Sequence, residues 1–313
     1  MIKYCDLENG RLVETENQSA AVVLCFAPTP EESEYLRAHF DLPRHTLLSA
    51  LDPEELARVV YADNMTAIIG KRSRTLSIDN TNLFEGMTFG CFLSETRLIV
   101  VSDEPIPLEE FSLPGHGSGD CRDIVLALFY HSTQSFHKQS VLIKELASEI
   151  EDRLVVSQNN ALLLDLFNLQ KNLTYYQNVI NYNKILTARI QQSAERLGLT
   201  PRQHDLLDDL VIDVAQCYEQ GEVVTTLLQN MTTTMSSMVG NKLNIVMKRL
   251  TVVTLIILPI TAIASIGGMS EYTLFMEKTM PSMSFNMAYG LLTVSFVGIG
   301  YLTYALLHWL KFD

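Results

Sequence analysis

The sequence lacks the motifs of most enzymes and of ATP-driven transporters. The sequence of 313 residues contains no glycine-rich phosphate loop that ends in Gly-Lys-Ser/Thr. Nucleotide-driven transport therefore has no support. The seven histidines show no HExxH or other paired metal spacing, and no nucleophile elbow is present. The five cysteines are scattered without a CxxC pair, which is typical of reduced cytosolic thiols. We therefore expect neither an enzyme nor a nucleotide cofactor.

Basic residues are also scarce. The chain holds 23 Lys and Arg against 36 Asp and Glu, for a net charge of −13. Residues 1–119 alone carry 19 acidic residues against nine basic ones, a net charge of −10. This balance disfavours a nucleic-acid partner, because nucleic-acid affinity depends on Lys and Arg that neutralise phosphates. It is compatible with binding cations, although acidic solvated surfaces are common.

Charge is missing altogether from two long stretches near the C-terminal end. Residues 250–269 and 287–309 contain no Asp, Glu, Lys or Arg. As helices of 20 and 23 residues they would span roughly 30 and 35 Å, which matches the hydrocarbon core of a bilayer. Buried helices of a soluble core are rarely this long without a polar face. The pattern predicts two transmembrane helices in contact with lipid.

The basic residues that flank these stretches predict their orientation. Lys242, Lys248 and Arg249 precede the first stretch and Lys311 follows the second, while the loop between them carries only Lys278. Because Lys and Arg are enriched on the cytoplasmic side, both termini are expected in the cytoplasm.

The chain divides into segments with different residue patterns, and together these predict an α+β membrane protein. β-rich runs broken by turn signals predict an α/β domain over residues 1–118. The runs are Ala20–Phe26, Met65–Ile69, Leu83–Leu93 and Arg97–Ser102. The predicted segments that follow are a helical hairpin (119–200), a stalk helix (201–249), transmembrane helix 1 (250–269), an outer loop (270–286), transmembrane helix 2 (287–309) and a tail (310–313).

The stalk and the first membrane helix are predicted to be one continuous helix. Thr200 and Gln203 fit a capping box, Gly198 fits the end of the preceding helix, and no proline follows Pro201 until Pro259. A helix this long needs partners along its length, so we expect a homo-oligomer.

One face of this helix is polar at bilayer depth. At alternating spacings of three and four, the stripe reads Asn244, Met247, Thr251, Thr254, Leu258, Thr261, Ser265 and Gly268. Two interpretations remain open. Small hydroxyl residues pack membrane helices closely. They also line pores, where hydroxyl rings support a hydrated ion and Met or Leu rings form apolar constrictions.

The sequence NKLNIVMKRLTVVTLIILPITAIASIGGMS resembles the CorA-type divalent-cation channels. The family pattern of Asn, Met-Lys-x-Leu-Thr, a Leu/Met-Pro-Leu/Ile-Thr step and Gly-Met-Asn is matched at Asn244, 247–251 and 258–261 and, in its first two residues, at 268–270. The resemblance implies a homopentameric funnel in the cell (inner) membrane, driven by the membrane potential. Asn244, Met247, Leu250, Leu258 and Thr261 would line its pore, with Met247 and Leu250 as a hydrophobic gate. It also places Asp209 near a regulatory divalent-ion site, where Asp208 or Asp213 could stand instead.

The pore mouth departs from the family pattern. Gly268 and Met269 match, but Ser270 replaces the family Asn, and Glu271 follows it. Glu271 could concentrate cations as a carboxylate ring, or merely end the helix. The stripe holds no Cys or His for soft ions, which favours Mg²⁺ over Co²⁺, Ni²⁺ or Zn²⁺. The expected function is a Mg²⁺ channel with possible permeation of those ions. The alternative is an oligomeric membrane scaffold or sensor that has lost conduction.

Overall fold

The computed structural model describes residues 1–8, 10–62, 64–74, 84, 86–113, 119–156, 160–269, 274, 277–279 and 285–309. Contacts divide the chain into two compact units, residues 1–232 and 233–313. Each is described by itself below. The predicted segment boundaries within the chain stay predictions.

A seven-stranded sheet forms the N-terminal part of the first unit. Its strands are β1 (Ile2–Glu8), β2 (Arg11–Thr15), β3 (Val22–Phe26), β4 (Arg58–Tyr61), β5 (Thr66–Ser73), β6 (Gly86–Leu93) and β7 (Leu98–Ser102). They lie in the order β2-β1-β3-β7-β6-β5-β4. Only β3 and β7 pair in parallel, and the other pairs are antiparallel.

The helices are mostly long. They are α1 (Pro30–Phe40), α2 (Arg44–Ser49), α3 (Cys121–Val156), α4 (Asn160–Gln192), α5 (Ala194–Leu197), α6 (Pro201–Gly267) and α7 (Phe285–Trp309). A turn of 3-10 helix covers Leu108–Phe111. The chain is therefore an α+β protein with an N-terminal sheet and one very long helix, as predicted.

The sheet is covered on both faces within the first unit. On one face, the side chains of β3, β5, β6 and β7 pack against Leu36 of α1 and Leu47 of α2. A Cβ on Gly90 would lie 2.5 Å from the Cβ of Ala50, so only glycine lets this helix approach so closely. On the other face, a Cβ on Gly70 would lie 2.9 Å from the ring of Phe129 in α3. The core is thus a sheet between two helical layers.

Lys71 is a charged residue inside this core. Its side chain is almost fully buried, and its Nζ donates to Pro53 O at 2.6 Å and to Thr88 Oγ1 at 2.8 Å. Its backbone N–H and C=O both bond to the Asn183 amide of α4, at 2.9 and 2.6 Å. Burial lowers the pKa of Lys71 to about 8, and the nearby carboxylate of Asp52 offsets part of that effect.

The predicted start of α6 is confirmed. The Thr200 N–H donates to Gln203 Oε1 at 2.9 Å, and the Gln203 N–H donates to Thr200 Oγ1 at 3.3 Å. These two bonds make the capping box that satisfies donors left free at a helix start. Gly198 ends α5 with a φ of 62°, a conformation that favours glycine.

The structure also differs from the predicted elements. The four predicted β-rich runs correspond to β3, β5, β6 and β7, but β1, β2 and β4 were not predicted. These strands are short or carry charged residues, and they form because they pair with neighbouring strands. The second hairpin helix is interrupted at Ser193, so α5 is separate from α4. The start of the predicted run at Leu83 lies outside the described residues.

Candidate ion-conduction face

The predicted polar stripe lies on an uncovered face of α6. Every member from Asn244 to Gly268 is exposed, and so is Leu250. The largest apolar side chains on this face, Leu250 and Leu258, are 60% and 62% exposed. In a water-soluble protein such a surface would be unfavourable, because apolar side chains gain free energy by leaving water. This face is therefore suited to contact with lipid, with another chain or with a confined column of water.

The opposite face of the same helix contacts α7. Val252, Ile256, Pro259, Ile260 and Ile263 are half-buried at helical spacing. A Cβ on Gly300 of α7 would lie 3.4 Å from Ile260 Cδ1, so the two helices approach closely there.

The α7 contact removes one form of the helix-packing interpretation of the stripe. At 3.6 residues per turn, the stripe and the α7-facing positions lie roughly 180° apart around α6. Packing against α7 therefore does not explain the polar stripe. Its hydroxyls must face something outside this chain or outside its described residues.

The threonine hydroxyls on the stripe all bond to a carbonyl of the preceding turn. Thr251 Oγ1 donates to Met247 O at 2.8 Å, and Thr254 Oγ1 donates to Leu250 O at 2.9 Å. Thr261 Oγ1 donates to Leu258 O at 2.8 Å. A hydroxyl has one proton and two lone pairs, so these bonds use the proton and leave acceptor oxygens. The stripe thus offers acceptors suited to the waters around a cation.

The predicted pore mouth is only partly visible. The Gly268 N–H still donates to Ala264 O at 3.0 Å, so helical bonding continues to that residue. Met269 is exposed. Ser270 and Glu271 lie outside the described residues. Ser270 and Glu271, which are expected to select the ion, therefore remain predictions from the sequence.

The three candidate regulatory carboxylates lie in the first unit and differ in their contacts. Asp208 accepts a bond from Gln191 Nε2 at 2.6 Å and lies 3.9 Å from His204 Nδ1. Asp213 is half-buried, and Asp209 is exposed. No cluster of three metal-ligating side chains occurs in the described part of the chain. Any divalent ion bound at Asp209 would therefore need ligands from elsewhere, such as a second copy.

Length and composition make α6 a candidate membrane helix. Over the residues that the structure describes, one helix, within Pro201–Ser265, is long and apolar enough to cross a bilayer. None of its most apolar window is buried inside the protein. The apolar part of α7 is shorter than that of α6 and covers Thr293–Ala305.

Comparison with known proteins gives one family and several similar folds. The family model described as CorA-like Mg2+ transporter protein matches residues 22–310. The complete structure of the CorA magnesium transporter from Methanocaldococcus jannaschii is similar, with a TM-score of 0.79 and 17% identity over 98% of this chain and 97% of that one. The full-length CmaX protein gives a TM-score of 0.70 and 14% identity over 99% and 97%.

A third similar structure covers the cytoplasmic part alone. The cytoplasmic domain of ZntB from Vibrio parahaemolyticus gives a TM-score of 0.60 and 12% identity over 76% of this chain and 98% of that one. No curated protein matches. At these identities the three structures establish a shared fold.

Proposed function

Because this chain belongs to the CorA-like Mg2+ transporter family, whose members are transmembrane divalent-cation transporters, we propose that it is a potential-driven Mg²⁺ channel. The observation that carries the proposal is the exposed stripe of hydroxyl oxygens on α6, on the side away from α7. Co²⁺, Ni²⁺ and Zn²⁺ would permeate less well, because the stripe holds no Cys or His.

Several copies of the chain would enclose the pore. One helix presents one stripe, so a closed ring of acceptors requires a homo-oligomer, and the sequence resemblance implies five subunits. Residues 250–269 of α6 and 287–309 of α7 would span the cell (inner) membrane among lipid, with both termini in the cytoplasm. In that arrangement the stripe faces the axis, and polar groups at bilayer depth meet water.

Ions would pass with their hydration shell largely intact. Mg²⁺ dehydrates reluctantly, so outward-facing lone pairs of Thr251, Thr254 and Thr261 would accept hydrogen bonds from its waters. Rings of Met247, Leu250 and Leu258 would close the path by dewetting. A divalent ion gains about 4.6 kcal/mol per 100 mV, which is sufficient for inward flux without nucleotide hydrolysis.

The mouth and the cytosolic acids would tune this path. A Ser270 ring has shorter side chains than the family Asn, so we expect a wider entrance with weaker dipoles. Glu271 would raise the local cation concentration, with Gly268 and Met269 shaping the approach. Asp209 is the preferred regulatory ligand between subunits. Asp208 is already bonded to Gln191.

Ion uptake into proteoliposomes tests the proposal. Mg²⁺, Co²⁺, Ni²⁺ and Zn²⁺ uptake would be measured under a set membrane potential for wild type, Leu250→Asp and Ser270→Asn. Leu250→Asp should raise the Mg²⁺ flux at least about tenfold, because it removes an apolar barrier of more than about 1.4 kcal/mol. Ser270→Asn should change the order of ion preference. Absence of flux from every variant of an assembled oligomer would favour the scaffold or sensor instead.

A matched pair of threonines separates pore lining from helix packing. Thr303 of α7 donates to Ile299 O at 3.0 Å, the same bond that Thr254 makes in α6. Thr254→Val should lower flux, since it removes a pore acceptor, whereas Thr303→Val should leave it unchanged. Equal effects of the two substitutions would contradict a pore-lining role for Thr254.

A further inference from the structure

Two adjoining grooves open on the first unit, far along the sequence from the polar stripe. One has a volume of about 580 Å³ and the other about 480 Å³, within the range of small-molecule sites. They share part of their walls, the residues Ala62, Asn64, Met65, Ser94 and Thr96. A single ligand could therefore extend from one groove into the other.

The larger groove has a mixed wall with one cation. Val60 contributes exposed apolar surface, and Asp41 and Arg97 contribute one charge of each sign. The Arg97 guanidinium lies over the Phe40 ring, 5.2 Å from its centroid. A guanidinium stacked in this way is held in place by the ring while its N–H groups stay available at its edge. This groove would accept a flat apolar group beside a negative charge.

The smaller groove is polar. Two cations and one acid line it, namely Arg122, Arg196 and Glu95, together with the shared hydroxyl residues Ser94 and Thr96. Arg122 is already engaged, because its Nε donates to Leu197 O at 2.6 Å and its Nη1 lies 3.4 Å from Asp120 Oδ2. Arg196 is exposed and stacks over Tyr61, 5.1 Å from the ring centroid. Arg196 is therefore the cation that this groove holds available.

These two arginines contact aromatic rings instead of carboxylates. Arg37 and Arg72 of the same unit each pair with a glutamate. Within the described part of the chain, Arg97 and Arg196 contact aromatic rings and form no ion pair. Other arginines of the unit, such as Arg11, also form no ion pair with the described residues, so what distinguishes these two is their place on the grooves.

A buried hydroxyl near the groove also lacks a partner. Tyr61 Oη is buried and makes no hydrogen bond to the described residues. Buried polar atoms are nearly always bonded, so an unsatisfied one needs an explanation. Tyr61 does not line either groove, but its ring carries the Arg196 guanidinium that lines the smaller one. The stacking therefore places Arg196 at the groove, while the hydroxyl is not part of the proposed site.

We propose that the joined grooves bind a small organic anion with a flat apolar part, of the chemical class of a nucleotide. The apolar part would lie against Val60 and Met65, and the anionic part between Arg97 and Arg196. This site does not drive transport, since the sequence has no phosphate loop. It makes the first unit a receptor for a cytosolic metabolite, a role independent of the proposed ion path.

Calorimetric titration of the full chain in detergent tests this site. The buffer contains EDTA, so that chelation of a divalent ion by the probe is excluded. ADP is the complete probe, and adenosine and inorganic phosphate each represent one half of it. We expect ADP to bind at least about tenfold more tightly than either half, because only ADP uses both grooves. Phosphate binding as tightly as ADP would overturn the two-groove site.

Arginine variants locate the binding. Arg97→Gln and Arg196→Gln should each weaken ADP binding about tenfold or more, the usual loss of a charge-assisted hydrogen bond. Arg37→Gln is the matched control, since Arg37 lies in α1 and pairs with Glu34; it should bind ADP like wild type. Circular dichroism would confirm that each variant is folded. No ADP binding by folded wild type, or unchanged binding by the double variant, would overturn the proposal.

The size of the detergent-solubilised oligomer tests whether a second copy of the chain occupies the grooves instead. Acidic side chains of a second copy could also meet unpaired arginines. In that case Arg196→Gln would dissociate the oligomer and wild type would not bind ADP, which would contradict the ligand site. An oligomer of unchanged size together with lost ADP binding supports it. Neither measurement uses ion flux, so a failure here is distinguishable from a failure of the channel proposal.

Discussion

Two stretches of α6 differ in how many of their residues are buried. In the first unit, a residue at every third or fourth position is buried, namely Gln203, Leu207, Leu210, Val214, Cys217, Gly221, Val224, Leu228 and Met231. From Asn244 to Ser265 no side chain of the same helix is buried. The first stretch finds its packing partners within the chain. Apart from its contact with α7, the second must find them outside the chain, as we expect of a helix that meets lipid or other copies.

The first unit adds long-range hydrogen bonds to local ones. Lys71 bonds to Asn183 and Pro53, which are distant in the sequence. Helical threonines of this unit, such as Thr187, also bond to the preceding turn, as Thr251 does on the stripe. The long-range bonds help to specify the first unit internally, whereas the threonine bonds of the stripe lie within one helix.

Leucine truncation on α6 should give the largest stability difference between the two stretches. Leu228 is fully buried and Leu258 is 62% exposed. We expect Leu228→Ala to lower the free energy of unfolding by about 2–5 kcal/mol, because it leaves a cavity. Leu258→Ala should cost less than about 1 kcal/mol and raise ion flux. Denaturant unfolding of the detergent-solubilised protein measures both. Similar losses from the two variants would remove the contrast between the stretches.

Lys71→Met tests how strongly the first unit depends on its internal polar groups. The pKa of Lys71 is about 8 when folded, against about 10.4 when unfolded. Between these values the unfolded chain binds more protons, so this residue makes stability rise as pH rises through that window. The full change is about 3 kcal/mol.

Thermal unfolding of wild type and Lys71→Met from pH 7 to pH 10.5 measures this effect. The comparison is between the two proteins, because the thiols titrate in the same range. Burial raises the pKa of Cys5, Cys25 and Cys217 to about 11, so their contribution falls as pH rises. The stability of wild type relative to Lys71→Met should increase with pH. A constant difference would show that Lys71 has an ordinary pKa.

Cysteine labelling sharpens the comparison between the two faces of α6 in the membrane. Thr254→Cys, on the stripe, should react with a charged water-soluble thiol reagent at least about tenfold faster than Ile260→Cys, on the face toward α7. Four of the five native cysteines are buried and Cys121 is half-buried, so wild type provides the background rate. Equal rates at the two positions would contradict a water-filled path along the stripe.

Removing the cap of α6 should have the smallest effect. Thr200→Ala deletes one of the two bonds of the capping box and is expected to cost about 1 kcal/mol. Because the cap lies in the first unit, stability should change while ion selectivity stays the same. Thr200→Ser, which keeps the hydroxyl, is the matched control. A change in ion preference would show that the helix start is coupled to the pore.

Local signals predicted the long helix α6 well, but they did not predict the short helices α1 and α2 or the strands β1, β2 and β4. The capping box at Thr200, the glycine at 198 and the absence of proline are all read within a few residues, and each is confirmed. The strands β1 and β4 depend on partners elsewhere in the chain, because β1 pairs with β3 and β4 with β5. Lys71 shows the same limit, since an isolated lysine in a sequence is expected at the surface.

The sequence by itself determined the length of α6 and the spacing of its polar stripe. Both follow from helical periodicity, which depends only on residues three or four positions apart. Tertiary structure decided that α7 contacts the face of Ile260 and leaves the stripe uncovered. It also brought Arg97 and Arg196 to adjoining grooves. These outcomes depend on contacts between distant segments, because packing selects among faces that the periodic pattern alone leaves equivalent.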